Sequence, residues 1–321
     1  MSSRPTRVTV GLPVCNGERY LDQAINTILA QTFRDLTLVI SDNASTDRTQ
    51  AIAEAYAAKD PRVRYYRYEE NRGMTWNFNN VFHLADSEYF VWACYDDLIA
   101  PEMIERCVAV LDREPEVAVV CSETMFIDEN GAERGPWCDR VELRSPHPHL
   151  RLRRYLKNTI MVDSIHGVVR KEVLGKTELL DTYVASDKIL MGQITLLGQI
   201  RELPERMFFR RIHPQISTMA NNEYVFRSYA DPKLKGTFSL PRWERFVNYM
   251  RRIKGTPLSP YERLLCYREV LMLLFLPKYW FKMALDLIVV AWLQLVSLLS
   301  RVFRPRKKAI AGIAKVSDPN D

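Results

Sequence analysis

Two adjacent carboxylates, Asp96 and Asp97, follow an apolar run, Tyr89-Phe90-Val91-Trp92-Ala93-Cys94. Side by side on a loop such acids repel, and a hard divalent cation with oxygen ligands offsets that repulsion. Phosphate oxygens can complete the shell of such an ion. The same pair would also serve to cap a following helix, since Asp is favoured near helix N-termini. Asp42 closes a second apolar run, Leu36 to Ile40, and Ser45, Thr46 and Asp47 come after it. A carboxylate there can accept hydrogen bonds from a base or a ribose, although Ser-Thr-Asp is also ordinary turn and capping chemistry. Asn71-Arg72-Gly73 is a turn signal. Asp187 heads a segment of helical periodicity, where the dipole favours an acid. Arg210, Arg211 and His213 have the chemistry to grip phosphate or metal, while basic residues at a strand end are also commonly just solvated.

The elements that must position these groups can be read from periodicity. Val8 to Pro13 is β-branched and apolar and stops at a proline, which predicts a buried strand. The polar loop Cys15-Asn16-Gly17-Glu18-Arg19 follows, and then Leu21, Ile25, Ile28 and Leu29 recur at helical spacing. The unit repeats. Leu36–Ile40 is a second strand, Thr49 to Ala58 a helix, Val63 to Tyr66 a third strand and Thr75 to Ala85 a helix. Tyr89 to Cys94 is a fourth strand, and Pro101 to Arg113 a helix with Pro in its first turn. Val117 to Cys121 is a fifth strand. Such alternation predicts an α/β fold, an open and mostly parallel sheet with helices on both faces. Ligands bind such sheets beyond the carboxyl ends of the strands, where the polar clusters fall. Residues 129–148 are loop-rich, Leu150 to Asn158 is helical and basic, 166–170 is a strand, Asp187 to Gly198 a helix and Phe208 to Ile212 a short strand.

Composition limits the options. The chain has 321 residues, 47% hydrophobic and 26% charged, enough to bury a core and more than one compact core usually uses. The expected division is a catalytic domain over 1–220, with a nucleotide half at 1–125 and an acceptor half at 126–220, and a helical C-terminal region over 221–321. A net charge of +6 is too mild to imply nucleic acid. Cys15, Cys94, Cys107, Cys121, Cys138 and Cys266 form no CxxC pair, and several lie in apolar runs. With no apolar N-terminal leader, a reduced cytoplasmic location is expected. Segment 278–303 reads as an amphipathic helix with a wide apolar face, its polar stripe made of Lys282, Asp286, Gln294, Ser297 and Arg301. Arg304, Arg306, Lys307 and Lys308 follow. Anionic lipid at the inner face of a membrane would attract that basic run, and a core or dimer helix is the competing reading.

Taken in order over residues 6–220, these pieces resemble the family 2 glycosyltransferases, whose catalytic domain has the GT-A fold. Val8 to Glu18 is similar to the family's first strand and nucleotide loop, with Pro13, Asn16 and Glu18 in place. Ala24-Ile25 through Gln31-Thr32-Phe33 resembles the following helix and turn. Leu38 to Asp47 resembles the segment whose acid, here Asp42, reads the base, and Asn71 and Gly73 match another nucleotide-side motif. Cys94-Tyr95-Asp96-Asp97 stands where the family carries its DXD metal motif, with Cys94 in place of the first acid and Asp96 kept. Ser186-Asp187 resembles the acidic pair that supplies the catalytic base, Ser186 replacing the first acid. Arg211 and His213 resemble the segment that closes over the pyrophosphate.

The resemblance implies inverting transfer from a nucleoside-diphosphate sugar to the hydroxyl of a glycan or lipid-linked acceptor, as in cell-surface polysaccharide or glycolipid synthesis. It implies Asp187 as base, Mg2+ or Mn2+ at Asp96, Asp97 and His213, Arg211 on the diphosphate, and Glu18 and Asp42 orienting the nucleotide. A metal-dependent nucleotidyltransferase uses similar parts but needs a glycine-rich, basic phosphate loop, whereas Cys15-Asn16-Gly17-Glu18 has one glycine and one acid. The changes at Cys94 and Ser186 would also suit a degenerate, membrane-attached binding protein. No GxGxxG follows the first strand, which argues against a dinucleotide-binding dehydrogenase.

Overall fold

The computed structural model describes residues 5–138, 141–213, 226–275 and 277–302. Its centre is β1 (Val8–Val14), buried at every position between β2 (Leu36–Asp42) and β4 (Tyr89–Trp92), with β3 (Val63–Arg67) outside β2. All three pairings are parallel. A parallel strand covered on both faces needs apolar residues on both, and so Val8, Val10, Leu12 and Val14 run alongside Thr9 and Gly11 without alternation. Gly11 is where α3 (Met74–His83) presses on the sheet: a Cβ there would lie 2.8 Å from that of Val81. α1 (Leu21–Leu29) buries Leu21, Ala24, Ile25 and Ile28 as one stripe, each worth about 1.5–3 kcal/mol for the larger side chains. α2 (Thr49–Lys59) completes this half.

Beyond β4 the sheet is mixed, although its longest ladders, β1 with β2 and Val117–Ile127 with Gln199–Arg211, are parallel, in keeping with the expected fold. The order is β3-β2-β1-β4-β8-β6-β9-β5, with β7 on β6. Here β5 is Leu98–Ile99, β6 Val117–Ile127, β7 Glu133–Trp137, β8 Val168–Arg170 and β9 Gln199–Arg211. β8 runs antiparallel to β4 and β6, β5 to β9 and β7 to β6, while β6 and β9 are parallel. β9 is far longer than expected because it accommodates a proline. Ser122 faces Leu203 and Glu123 faces Arg206, so Pro204 and Glu205 bulge out of the ladder. Pro101 also departs from expectation. It precedes α4 (Met103–Arg113), and its carbonyl accepts the Thr32 amide.

Helices cover the mixed half. α5 (Pro148–Asn158) and α7 (Ser186–Leu197) pack together, with α6 (Lys171–Gly175) between β8 and α7. The helix Pro241–Gly255 lies on α7 and the helix Pro260–Leu271 on α5, closing a core of Leu152, Ile189, Tyr249, Ile253, Cys266 and Val270. The last helix among the described residues, Pro277–Val302, lies over the stretch 278–302. It docks on Pro241–Gly255 through Met283, Asp286 and Val290, one residue every three or four. Asp286 is fully buried and bonds both the Arg242 guanidinium and the Arg242 amide at 2.8 Å. The 18-residue window Tyr279–Val296, of mean hydropathy 1.5, is long and apolar enough to cross a membrane, and only 17% of it is buried. The boundary at residue 220, residue 303 and the basic run after it lie outside the described residues.

Candidate active site

The register fixes the rim. Val14 pairs with Asp42 and Gly11 with Trp92, so the loops after β1, β2 and β4 leave the sheet together. The first two interlock. The Asn16 amide donates to Ser45 Oγ at 2.9 Å, and the Thr46 amide donates to Asn16 Oδ1 at 2.8 Å. The Glu18 amide donates to Asp47 Oδ2 at 3.0 Å, and Glu18 Oε2 accepts the Arg48 amide at 3.0 Å. Asn16 and Ala44 both have left-handed φ, 56° and 61°. For Ala44 that conformation costs about 1–2 kcal/mol, and these cross-loop bonds hold it.

Asp42 is fully buried. Its Oδ1 accepts the Ser45 amide at 2.8 Å and its Oδ2 the Tyr65 hydroxyl at 2.7 Å. In this structure it braces the loop from within. Pro13, buried on β1, faces Ser41. Asn71 Oδ1 accepts the Gly73 amide at 2.8 Å and the Asn43 side-chain amide at 3.0 Å. Gly73 has φ 92°, and a Cβ on it would lie 2.3 Å from the Ala230 carbonyl, so only glycine fits. Asn43 and Asn77, which the sequence reading passed over, complete the lattice: the Asn77 side-chain amide donates to the carbonyls of Val14 and Ser41. Of the residues expected at the nucleotide, Asn16, Glu18 and Asn71 are exposed at the rim.

After β4 the chain turns through Cys94-Tyr95-Asp96-Asp97 into β5, which lies on the end of β9. That pairing brings the last residues of β9 to the acids. Asp96 Oδ2 lies 3.0 Å from His213 Nε2. His213 is buried, and its Nδ1 has no hydrogen-bond partner among the described residues. The ring lies against Tyr20, centroids 5.2 Å apart. Asp96 and His213 are at direct hydrogen-bonding distance, and the same separation is that of adjacent ligand positions on an octahedral ion with bonds of about 2.1 Å. Asp97 does not join them. Its Oδ1 accepts the Arg211 amide at 2.8 Å, and its carboxylate clusters with Cys94 and His166 instead. Burial, and then the neighbouring Asp96, push the Asp97 carboxyl well above its ordinary range. Burial likewise raises the Cys94 thiol and lowers the His166 imidazole.

Arg211 is fully buried, and its guanidinium is spent on the protein. Nε donates to the Asp96 carbonyl at 2.8 Å, Nη1 to the carbonyls of Asp128 and Glu129, and Nη2 to Gln23 Oε1 at 2.8 Å. It stacks over Tyr20 at 4.5 Å. The expectation that Arg211 grips a diphosphate therefore does not match its position, which is that of a clamp on the Asp96 loop. Burying a guanidinium is costly unless its donors are satisfied, and here carbonyl oxygens and Gln23 Oε1 satisfy them.

Asp187 stands in the first turn of α7, after Ala185 in the left-handed region with φ 60°. Its Oδ1 accepts the Lys188 amide at 2.7 Å. The Lys188 carbonyl is held by the hydroxyls of Tyr155 and Tyr249 at 3.0 and 3.2 Å. The 3-10 turn Asp163–His166 packs against α7 on one side and β4 and β6 on the other. Arg210 reaches it from β9 to pair with Asp163.

A family model described as Glycosyl transferase family 2 matches residues 9–177. EpsE of Bacillus subtilis (strain 168), named as a glycosyltransferase, is 33% identical over 132 residues, 41% of this chain and 47% of EpsE. The matched stretches span between about a fifth and about half of the length of the first curated relatives. Among solved structures, S. aureus TarS 1-349 in complex with UDP-GlcNAc aligns with a TM-score of 0.62 at 17% identity, over 83% of this chain and 71% of TarS 1-349. Mannosyltransferase PcManGT from Pyrobaculum calidifontis, in complex with GDP-Man and Mn2+, aligns with a TM-score of 0.56 at 17% identity, over 94% of this chain and 80% of its own. At these identities the likeness is one of fold.

Proposed function

The chain belongs to glycosyl transferase family 2 and is an enzyme that transfers sugars, and from that premise we propose that it moves a sugar from a nucleoside-diphosphate donor to an acceptor hydroxyl with inversion. The observation that carries this reading is the pairing of Asp96 with His213 at the rim where β1, β2 and β4 end. The nucleotide sits over the interlocked loops, against exposed Asn16, Glu18 and Asn71, while buried Asp42 and Gly73 hold those loops in shape. Binding at that remote end holds the reacting carbon in line. UDP-GlcNAc in TarS and GDP-Man in PcManGT support a nucleotide-sugar donor.

Asp187 takes the proton from the acceptor hydroxyl as that oxygen bonds to the anomeric carbon. The bond from that carbon to the diphosphate breaks, and nucleoside diphosphate leaves with its electron pair. Mg2+ or Mn2+, held by Asp96 and His213, would supply positive charge to the departing diphosphate, and the Mn2+ in PcManGT supports that ion. Arg211 contributes by fixing the Asp96 backbone rather than by touching the donor. The acceptor is a glycan or a lipid-linked glycan, reached from the cytoplasmic side, with the exposed face of the helix Pro277–Val302 lying on the membrane. Trp280, Phe281, Ile288 and Trp292 on that face support the placement.

The test is product analysis with a panel of nucleoside-diphosphate sugars, with and without Mn2+. Metal-dependent release of nucleoside diphosphate is expected. Release of pyrophosphate, or no turnover and no nucleotide-induced thermal shift across the panel, rejects the reading.

A further inference from the structure

The acid pair divides: Asp96 meets His213, and Asp97 groups with Cys94 and His166. The ligand atoms of Cys94, Asp97 and His166 all lie within 4.8 Å of one another, the one such group of three or more among the described residues. Cys94 Sγ is 4.0 Å from His166 Nε2. His166 Nδ1 lies 3.0 Å from the Trp92 carbonyl oxygen. That oxygen can only accept, so Nδ1 carries the ring proton and the Nε2 lone pair points at Cys94. This is the arrangement that metal-bound histidines show, with the far nitrogen tied to a carbonyl. The ring is stacked on Phe208, centroids 4.8 Å apart and planes 20° from parallel, which fixes its direction.

We propose that Cys94, Asp97 and His166 form a three-ligand site for a thiophilic divalent cation, zinc above all, separate from the Asp96–His213 pair. Thiolate with imidazole selects zinc over Mg2+ and Mn2+. Zinc bonds of about 2.3 Å to sulfur and about 2.0 Å to nitrogen put adjacent tetrahedral ligands about 3.5 Å apart, so the Cys94–His166 separation of 4.0 Å has to close by about half an ångström. Charge balances as well. The Cys94 thiolate and the Asp97 carboxylate would match the two positive charges of the ion, and the charge of Arg210, which acts on both, is shared with Asp163. On binding, the Cys94 thiol releases its proton to solvent and the sulfur pair enters the new bond. All three residues are partly exposed, and a small hollow lined by Thr27, Ile28, Ile99 and Phe208 adjoins them. The ion would brace the turn that presents Asp96, giving Cys94 a use at the position where the family carries an acid.

The test does not depend on sugar transfer. The purified full chain is titrated with Co2+, and a thiolate-to-cobalt charge-transfer band saturating at one equivalent is expected. Zn2+ should abolish the band and excess Mg2+ should leave it. Cys94→Ala and His166→Gln should lose it or weaken binding by at least roughly tenfold, the scale that even outer-shell partners cost. Asp96→Asn should retain it. As a measurement on the unaltered chain, Zn2+ should slow alkylation of Cys94, read by mass spectrometry, by at least roughly tenfold. No band with the unaltered chain, an undiminished band in folded Cys94→Ala, or Cys94 alkylation indifferent to Zn2+ overturns the proposal.

Discussion

The carboxylate of Asp96 and the imidazole of His213, 117 residues apart in the chain, lie 3.0 Å from each other. The contact exists because β5 and the end of β9 are paired, Leu98 opposite Phe209, so that the residues flanking the ladder converge. If this pair holds the divalent cation, Asp96→Asn should lower kcat/KM by about a hundredfold or more and raise the Mn2+ concentration needed for half-maximal rate. His213→Gln should raise that Mn2+ requirement with a smaller loss of rate. Equal Mn2+ dependence in both variants and in the unaltered enzyme would remove the pair from the metal site.

Asp187 is the proposed base. Asp187→Asn keeps the size of the side chain and an oxygen for the Lys188 amide, so the first turn of α7 should persist. Transfer should fall by about 10²–10⁴-fold, the range of general base catalysis. Thermal stabilisation by nucleoside diphosphate should be unchanged. Turnover near that of the unaltered enzyme would assign the proton transfer elsewhere.

Arg211 distinguishes a clamp from a phosphate ligand. Arg211→Met removes the donors that satisfy the carbonyls of Asp96, Asp128 and Glu129 and the Gln23 side chain. Loss of a buried, fully bonded charge of this kind costs about 3 kcal/mol. Urea unfolding at equilibrium should show a midpoint lowered accordingly. A selective rise in donor KM at unchanged stability would point instead to direct contact with the diphosphate.

Acid sensitivity should be traceable to the amino-terminal end of the central strands β1 and β4. Arg7 bonds Asp112 and Glu88 together, and Asp112 also accepts the Tyr89 hydroxyl at 2.8 Å. The Arg7 hydrogen bond, against the opposing effect of burial, holds the Asp112 carboxyl below its ordinary value. The unfolded chain therefore takes up this proton at higher pH than the folded one. The stability it provides is present above the ordinary carboxylate value, about 3.9, and disappears as pH falls through the lower folded value. Arg7→Met should flatten that limb of a melting-temperature profile while changing the slope between pH 6 and 8 little, on the scale of about one proton.

Membrane contact can be probed without disturbing the core. Ile288 and Trp292 point outward, on the side away from Met283 and Asp286. Ile288→Glu with Trp292→Glu should leave the melting temperature within a few degrees, since exposed substitutions stay near ±0.5 kcal/mol each. The same pair should abolish sedimentation with vesicles containing anionic lipid. Unchanged sedimentation would assign this apolar face to something other than a bilayer.

The main strands and helices as far as Cys121, the buried central strand and the rim where the polar loops gather were legible in the sequence, whereas β5, β7 and α6 were not. They rest on local signals: β-branched runs, helical periodicity and polar loops at strand ends. Asp42, Asn71 and Gly73 were singled out the same way, because they lie in or beside those loops. What each side chain does there was decided by long-range packing. Burial turned Asp42 and Arg211 inward as braces, although their sequence positions are those of groups that face a ligand. β9 hid behind Pro204, which the ladder tolerates only through a bulge whose partner strand lies about 80 residues away. Cys94 and His166, 72 residues apart, carry no local signal beyond an unusual residue at the acid's place. The chain by itself thus determined which residues stand at the strand tips, since periodicity is a property of neighbours. Only the tertiary structure decided which carboxylate meets which imidazole, because strand pairing and burial join residues that no spacing along the sequence relates.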